Sequence, residues 1–175
     1  MTAEKKNFMA YYVMWNPEYR ADKICFENFT HIFHAFLRQD AEGSLIVPDD
    51  FHEPDLIKGA HEKDCKVIAS LGGGLHGSNG FSEFTKDPAK RKKYIDALAA
   101  YLFENNYDGV DVDWEFPASE EDKNNCTLLI KEIREKFDSM PAPAPSWIIT
   151  MAVCGIEPIN RYLDFRAFDK YMDFY

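Results

Sequence analysis

Short apolar runs alternate with stretches of helical periodicity along the whole chain. Phe8 to Trp15 is apolar and aromatic almost throughout, the pattern of a strand buried on both faces. Thr30 to Leu37, Lys66 to Leu71, Gly109 to Phe116 and Trp147 to Val153 repeat it, and Tyr171 to Tyr175 reads as the opening of a sixth strand. Helices are expected between these runs. Asp87 and Pro88 supply an N-cap and a first-turn proline, and the helix they open carries Tyr94, Ile95, Leu98, Ala99, Leu102 and Phe103 along one stripe. The cluster Lys90, Arg91, Lys92 and Lys93 then falls largely toward water. Ser119 and Asp122 have the spacing of a capping box, opening a helix whose Leu128, Leu129, Ile133 and Phe137 face inward. Glu53 and Pro54 start a shorter helix. Pro141 to Pro145 alternates proline with alanine and reads as a stiff extended connector.

Strand, helix, strand repeated with crossovers of this length implies an α/β fold with a parallel sheet, either an open doubly wound layer or a barrel. Periodicity does not separate the two. An eight-stranded barrel takes about 250 residues. The 175 residues here supply five strands and the start of a sixth, so the chain reads as part of a longer domain.

Composition narrows the function. With 46% hydrophobic residues the chain can bury a substantial core. A formal charge of -10 repels polyanions, which argues against a nucleic-acid partner. No stretch approaches the length of a membrane span. The charged start, Met1 to Lys6, precedes only a short apolar run without a secretory core or cleavage site. A cytoplasmic protein and a sequence lacking its export signal both fit. Cys25, Cys65, Cys126 and Cys154 are widely spaced, without metal-ligand spacing, and read as free, mostly buried thiols.

The candidate chemistry lies in Asp108 to Pro117. Along a strand, side chains alternate faces, so Asp111, Asp113 and Glu115 share one face while Val110, Val112 and Trp114 take the other. Residues two apart on a strand are separated by about 6.7 Å, and at an effective dielectric of about 20 two charges at that distance repel by about 2.5 kcal/mol. Three such carboxylates in a row disfavour full ionisation. One is expected to stay protonated at neutral pH, shared with its neighbours, and a protonated carboxyl in a pocket is what general acid catalysis uses. A solvated acidic edge would not carry the interleaved apolar residues. A calcium loop of the EF-hand kind would want polar interleaving and a glycine where Phe116 stands. Magnesium on a strand-end pair of aspartates is the remaining rival.

At these residues the sequence resembles glycoside hydrolase family 18, the chitinase-like enzymes. The family signature DGxDxDxE, on the fourth strand of a TIM barrel, is matched by Asp108, Gly109, Asp111, Asp113 and Glu115. Its SxGG motif on the third strand is matched by Ser70, Leu71, Gly72 and Gly73. The stretches Ala10 to Trp15 and His31 to Phe36 also look like the family's first and second strands. The resemblance implies one partial catalytic domain over residues 1–175, covering about strands 1 to 6 of a (β/α)8 barrel.

It further implies hydrolysis of β-1,4-linked N-acetylglucosamine by a retaining, substrate-assisted mechanism with no enzyme nucleophile, no cofactor and no metal. Glu115 would be the acid and base, Asp113 would orient the substrate's acetamido group, and Asp111 would share a proton with Asp113. Ser70 would be a supporting donor, with Gly72 and Gly73 beside it, and Tyr11 and Phe36 would line the subsite of the reacting sugar. Asp108 would support the strand start and Trp114 would pack on a helix. The partner would be an N-acetylglucosamine-containing oligo- or polysaccharide, and neither nucleic acid nor membrane is expected. Endo-β-N-acetylglucosaminidases share every motif quoted, and non-catalytic sugar-binding proteins occur on the same fold. Gly74 stands where many relatives carry a tryptophan after SxGG, which weakens the case for long crystalline chitin. The family's sixth-strand Met-x-Tyr-Asp motif is absent from these residues, so little activity is expected of residues 1–175 alone.

Overall fold

The computed structural model describes residues 6–16, 18 and 20–175. The charged start at residues 1–5 lies outside them. Five parallel strands form the sheet: β1 (Met9–Val13), β2 (His31–Gln39), β4 (Lys66–Gly72), β5 (Gly109–Asp113) and β6 (Ile148–Met151). A two-residue strand, β3 (Leu45–Ile46), folds back antiparallel on the end of β2. Between the parallel strands run α1 (Pro54–His61), α2 (Phe81–Phe84), α3 (Pro88–Glu104) and α4 (Glu120–Ser139), and after β6 come the short α5 (Glu157–Asn160) and α6 (Phe165–Phe168).

Apart from the β3 hairpin, each strand lies beside its predecessor in the chain, in the order β1-β2-β4-β5-β6. A doubly wound layer reverses direction at a switch point and leaves non-sequential neighbours. Sequential winding is the barrel alternative. Past β6 the chain begins to pair again, with one parallel bridge between Thr150 and Phe174, where the sequence predicts the opening of a sixth strand. Among the described residues no helix is long and apolar enough to cross a membrane.

Val67, Ala69 and Leu71 of β4, Val110 and Val112 of β5, and Ile149 and Met151 of β6 join the core beneath the helices. The alternate positions, Ile68, Ser70, Asp111 and Thr150, turn to the other face and are also buried. Helix α3 begins as its sequence suggests, with the Asp87 carboxylate accepting from the amides of Ala89 and Lys90. Ser119 accepts from the Asp122 amide, but the returning arm of that cap reaches the Ala118 amide instead of that of Ser119.

Several local expectations are corrected. β1 is not buried on both faces: Tyr12 is buried, while Phe8, Met9, Tyr11 and Trp15 are exposed, because among the described residues β1 pairs with β2 alone. Leu128 and Phe103 fall outside their helices' inward stripes and are exposed. Arg91 does not face water: it is buried, with a two-pronged ion pair to Glu132 of α4 and a bond to the Thr85 carbonyl. The connector at Pro141 to Pro145 is compact, because Ala144 is drawn into the core and Ala144–Ser146 closes a 3-10 turn. Arg134 bonds the Pro145 and Trp147 carbonyls that the turn leaves over. The four thiols are free, but only Cys65 and Cys126 are buried.

Candidate active site

Register across three strands sets the first part of the site. Ser70 of β4, Asp111 of β5 and Thr150 of β6 stand side by side in one row. The Ser70 hydroxyl donates to Asp111 Oδ2 at 2.7 Å and the Thr150 hydroxyl to Oδ1 at 2.7 Å. From β1 the Tyr11 hydroxyl donates to Oδ2 at 2.9 Å. Asp111, 2% exposed, therefore accepts three hydroxyl bonds on its two oxygens. Burial raises its carboxyl above the usual range, and the three donors pull the other way. Tyr11 stays a neutral donor: although much of its ring is exposed, its hydroxyl end is withdrawn from water against Asp111, and that desolvation and the Asp111 charge raise its phenol further.

Asp113 lies two residues along the same face, also buried. Burial, then the charges of Asp111 and Glu115, push its carboxyl up to about 7. Glu115, the next carboxyl along, adds to that rise as a neighbouring acid. Asp113 Oδ1 has no partner. Around neutral pH Asp113 is thus close to its midpoint, in a row of groups whose ordinary proton affinities are far lower.

Glu115 stands beyond the end of β5 and is exposed. The ladder that orders Asp111 and Asp113 does not extend to it. Its backbone amide instead donates to the Ser78 hydroxyl at 2.7 Å. The loop after β4 comes close on the same side. Gly72 and Gly73 both have positive φ, 92° and 85°. A Cβ on Gly72 would lie 2.5 Å from the Asp113 carbonyl oxygen, and one on Gly73 would lie 2.8 Å from the Phe36 ring. Only glycine fits either place. At Gly74 a Cβ would sit 3.3 Å from Glu115 Oε2, so this residue borders the carboxylate directly.

An aromatic wall faces the carboxylates. Tyr11 stacks on Phe33 with centroids 5.1 Å apart, and Phe36 lies 6.3 Å from Tyr11 and 6.1 Å from Trp15. A cavity of about 360 Å³ opens beside Asp111, between Tyr11, Phe33, Thr150 and Phe174. It lies between β1 and the segment after β6, with Asp111 in its lining. Asp108 sits elsewhere, accepting from the Val67 amide and bonded to His61 Nε2, both at 2.8 Å. Trp114 stacks on Phe81 at 5.0 Å, against α2. Among the described residues no cluster of three His, Cys, Asp or Glu side chains is arranged to hold a metal ion.

All eight positions singled out from sequence fall in this region: Tyr11, Phe36, Ser70, Gly72, Gly73, Asp111, Asp113 and Glu115. Three neighbours were missed. Thr150 is a polar side chain in an apolar strand, a signal that is readable only once the β5 and β6 register is known. Ser78 sits in a glycine-rich loop with nothing local to mark it. Trp15, exposed at the end of the first apolar run, was readable as a contact residue from its type alone.

The family profile named Glycosyl hydrolases family 18 matches residues 7–175. The sequence is 28% identical over 190 residues to "Probable chitinase 2" of Drosophila melanogaster, covering 95% of this chain and 38% of that protein. The fold superposes with a TM-score of 0.84 on the Group IV chitinase of Ostrinia furnacalis, at 26% identity, covering 96% of this chain and 50% of that one. It superposes equally, at 0.84 and 26% identity, on the chitinase-like agglutinin of Robinia pseudoacacia, covering 94% and 52%. The chain thus spans about half or less of the relatives it matches. With its profile match along nearly the whole chain and its parallel sheet superposing on TIM-barrel relatives, this chain belongs to glycosyl hydrolase family 18.

Proposed function

We propose that this chain carries the catalytic strand of an enzyme hydrolysing β-1,4-linked N-acetylglucosamine in chitin or its oligomers, with retention and substrate assistance. The observation that carries the reading is the carboxylate row itself: buried Asp111 held by three hydroxyl donors, buried Asp113 next along the same face, and exposed Glu115 at its end. Glu115, open to the mouth of the site, protonates the glycosidic oxygen as the substrate's own acetamido oxygen attacks the anomeric carbon. That closes an oxazolinium ring and expels the leaving sugar. Asp113 bonds the acetamido nitrogen and stabilises the positive charge that develops there. It turns from Glu115 toward Asp111 as the proton is redistributed, and the Ser70, Thr150 and Tyr11 hydroxyls hold Asp111 in place to receive it. Glu115, now a carboxylate, takes a proton from the water that opens the ring. Tyr11, Phe36 and Trp15 offer ring faces to the sugar.

The test compares hydrolysis of fluorogenic chitooligosaccharides by the protein spanning the whole catalytic domain and by its Glu115→Gln variant. Loss of the acid is expected to slow turnover by about 10²- to 10⁴-fold. Equal rates would refute the role of Glu115. Residues 1–175 alone are expected to turn over little, because one wall of the site is open between β1 and Phe174.

A second reading, binding of such sugars without hydrolysis, is favoured by the chitinase-like agglutinin among the structural relatives and by Gly74, which offers no aromatic platform beside Glu115. Retained chitooligosaccharide binding with no turnover in the wild-type protein would select it. An endo-β-N-acetylglucosaminidase activity would show instead as release of sugar from glycoprotein cores in the same assay series.

A further inference from the structure

The strand that carries the carboxylates ends at Asp113, yet the acid lies two residues further on. Without a ladder partner, the Glu115 backbone needs another acceptor for its amide. The Ser78 hydroxyl supplies it at 2.7 Å, and the same oxygen lies 3.0 Å from the Gly73 carbonyl and 3.2 Å from the Asp113 carbonyl, to either of which it can donate. One hydroxyl therefore joins the loop at the end of β4, the end of β5 and Glu115 two residues beyond it.

Ser78 is itself held on both sides. The buried Gln39 side chain, from the end of β2, donates through Nε2 to the Gly77 carbonyl at 2.7 Å and to the Asn79 carbonyl at 2.8 Å. The Gly73 amide donates to the Asp113 carbonyl at 2.8 Å, closing the same corner from below. The segment from Gly73 to Asn79 is thus pinned where it touches Glu115.

We infer that Ser78 is a positioning residue for the acid: its hydroxyl fixes the backbone of Glu115 and so aims the carboxylate at Asp113 and at the glycosidic oxygen. The inference rests on the reading of Glu115 as the acid. Ser78 touches no reacting atom. Its effect passes through the Glu115 amide, and removing the hydroxyl frees Glu115 to leave Asp113 while the strand beneath stays paired.

The test uses the protein spanning the whole catalytic domain and needs no turnover, so its failure is separate from failure of the hydrolase reading, which the Glu115→Gln assay decides. Amide exchange of Glu115 and carboxyl ¹³C titration of Asp113 and Glu115 are followed by NMR in the wild type, Ser78→Ala and Ser78→Thr. In Ser78→Ala the Glu115 amide is expected to exchange on the order of tenfold faster, as for one lost hydrogen bond. Asp113 is expected to titrate at lower pH, having lost its Glu115 neighbour. The amides of Val110 and Val112 keep their protection, and Ser78→Thr, which retains a hydroxyl, restores both signals. Unchanged Glu115 exchange and Asp113 titration in Ser78→Ala overturn the inference. So does a loss of protection that spreads to Val110 and Val112, which would make Ser78 a residue that holds the fold together.

Discussion

Asp113 keeps one carboxyl oxygen without a partner in a buried site, next to two other carboxyl groups. Its folded carboxyl titrates at about 7, against about 3.9 in an unfolded chain. Between those values the folded state holds a proton that the unfolded state has released. The contribution of Asp113 to stability is therefore full below about pH 4 and is lost as pH rises through 7. His34 acts in the opposite direction. It is fully buried, stacked on Phe51 at 4.1 Å, with Nδ1 2.9 Å from the Tyr107 hydroxyl and Nε2 unpartnered. Burial pushes its imidazole down to about 3, so stability is lost as pH falls below about 6.5, the unfolded value. Melting temperature measured against pH should separate the two. Asp113→Asn is expected to remove the decline from pH 4 to 7 and to melt higher than wild type at pH 8. His34→Gln is expected to remove the decline on the acid side. A profile for Asp113→Asn that parallels the wild type would contradict a protonated Asp113.

At the scale of elements, the two halves of the site have different origins. Alternation along β5 placed Asp111 and Asp113 on one face and the valines on the other, and that was readable because a strand's period of two needs no knowledge of its neighbours. The position of Glu115 was not, because the strand stops short of it and a loop from elsewhere in the chain takes over. Arg91 makes the same point for a helix. Within a run of four basic residues it read as solvated, but α4 packs beside α3 and brings Glu132 to 2.8 Å. Arg91→Ala is expected to cost about 3 kcal/mol in a urea titration, since it leaves Glu132 and the Thr85 carbonyl without their donor in a mostly buried site. Lys92→Ala, at an exposed ion pair one residue away, is expected to leave the midpoint nearly unchanged. Equal effects of the two would contradict the burial of Arg91.

For the whole molecule, the unfinished circle of strands is the dominant feature. Among the described residues β1 pairs on one side only, and Phe8, Met9, Tyr11 and Trp15 stand exposed along it. Unpaired edges with apolar flanks associate. Residues 1–175 are expected to form larger species as concentration rises, detected by light scattering, and to bind a hydrophobic dye. A monomer at all concentrations with no dye binding would contradict an accessible apolar edge.

The parallel α/β architecture, the order of its strands and helices, and the shared face of Asp111 and Asp113 were all determined by the sequence. Each rests on local periodicity, or on a motif whose residues lie within a few positions of one another. Tertiary structure decided the rest. The motifs had already pointed to a barrel where periodicity could not, and sequential winding bore that out; lateral register brought Ser70 and Thr150 to opposite sides of Asp111. Only the folded chain could bring Ser78 to the Glu115 amide or bury Arg91 against Glu132. The physical reason is common to these cases: a hydrogen bond or ion pair between residues some forty positions apart depends on how separate elements pack, and periodicity within one element carries no information about that.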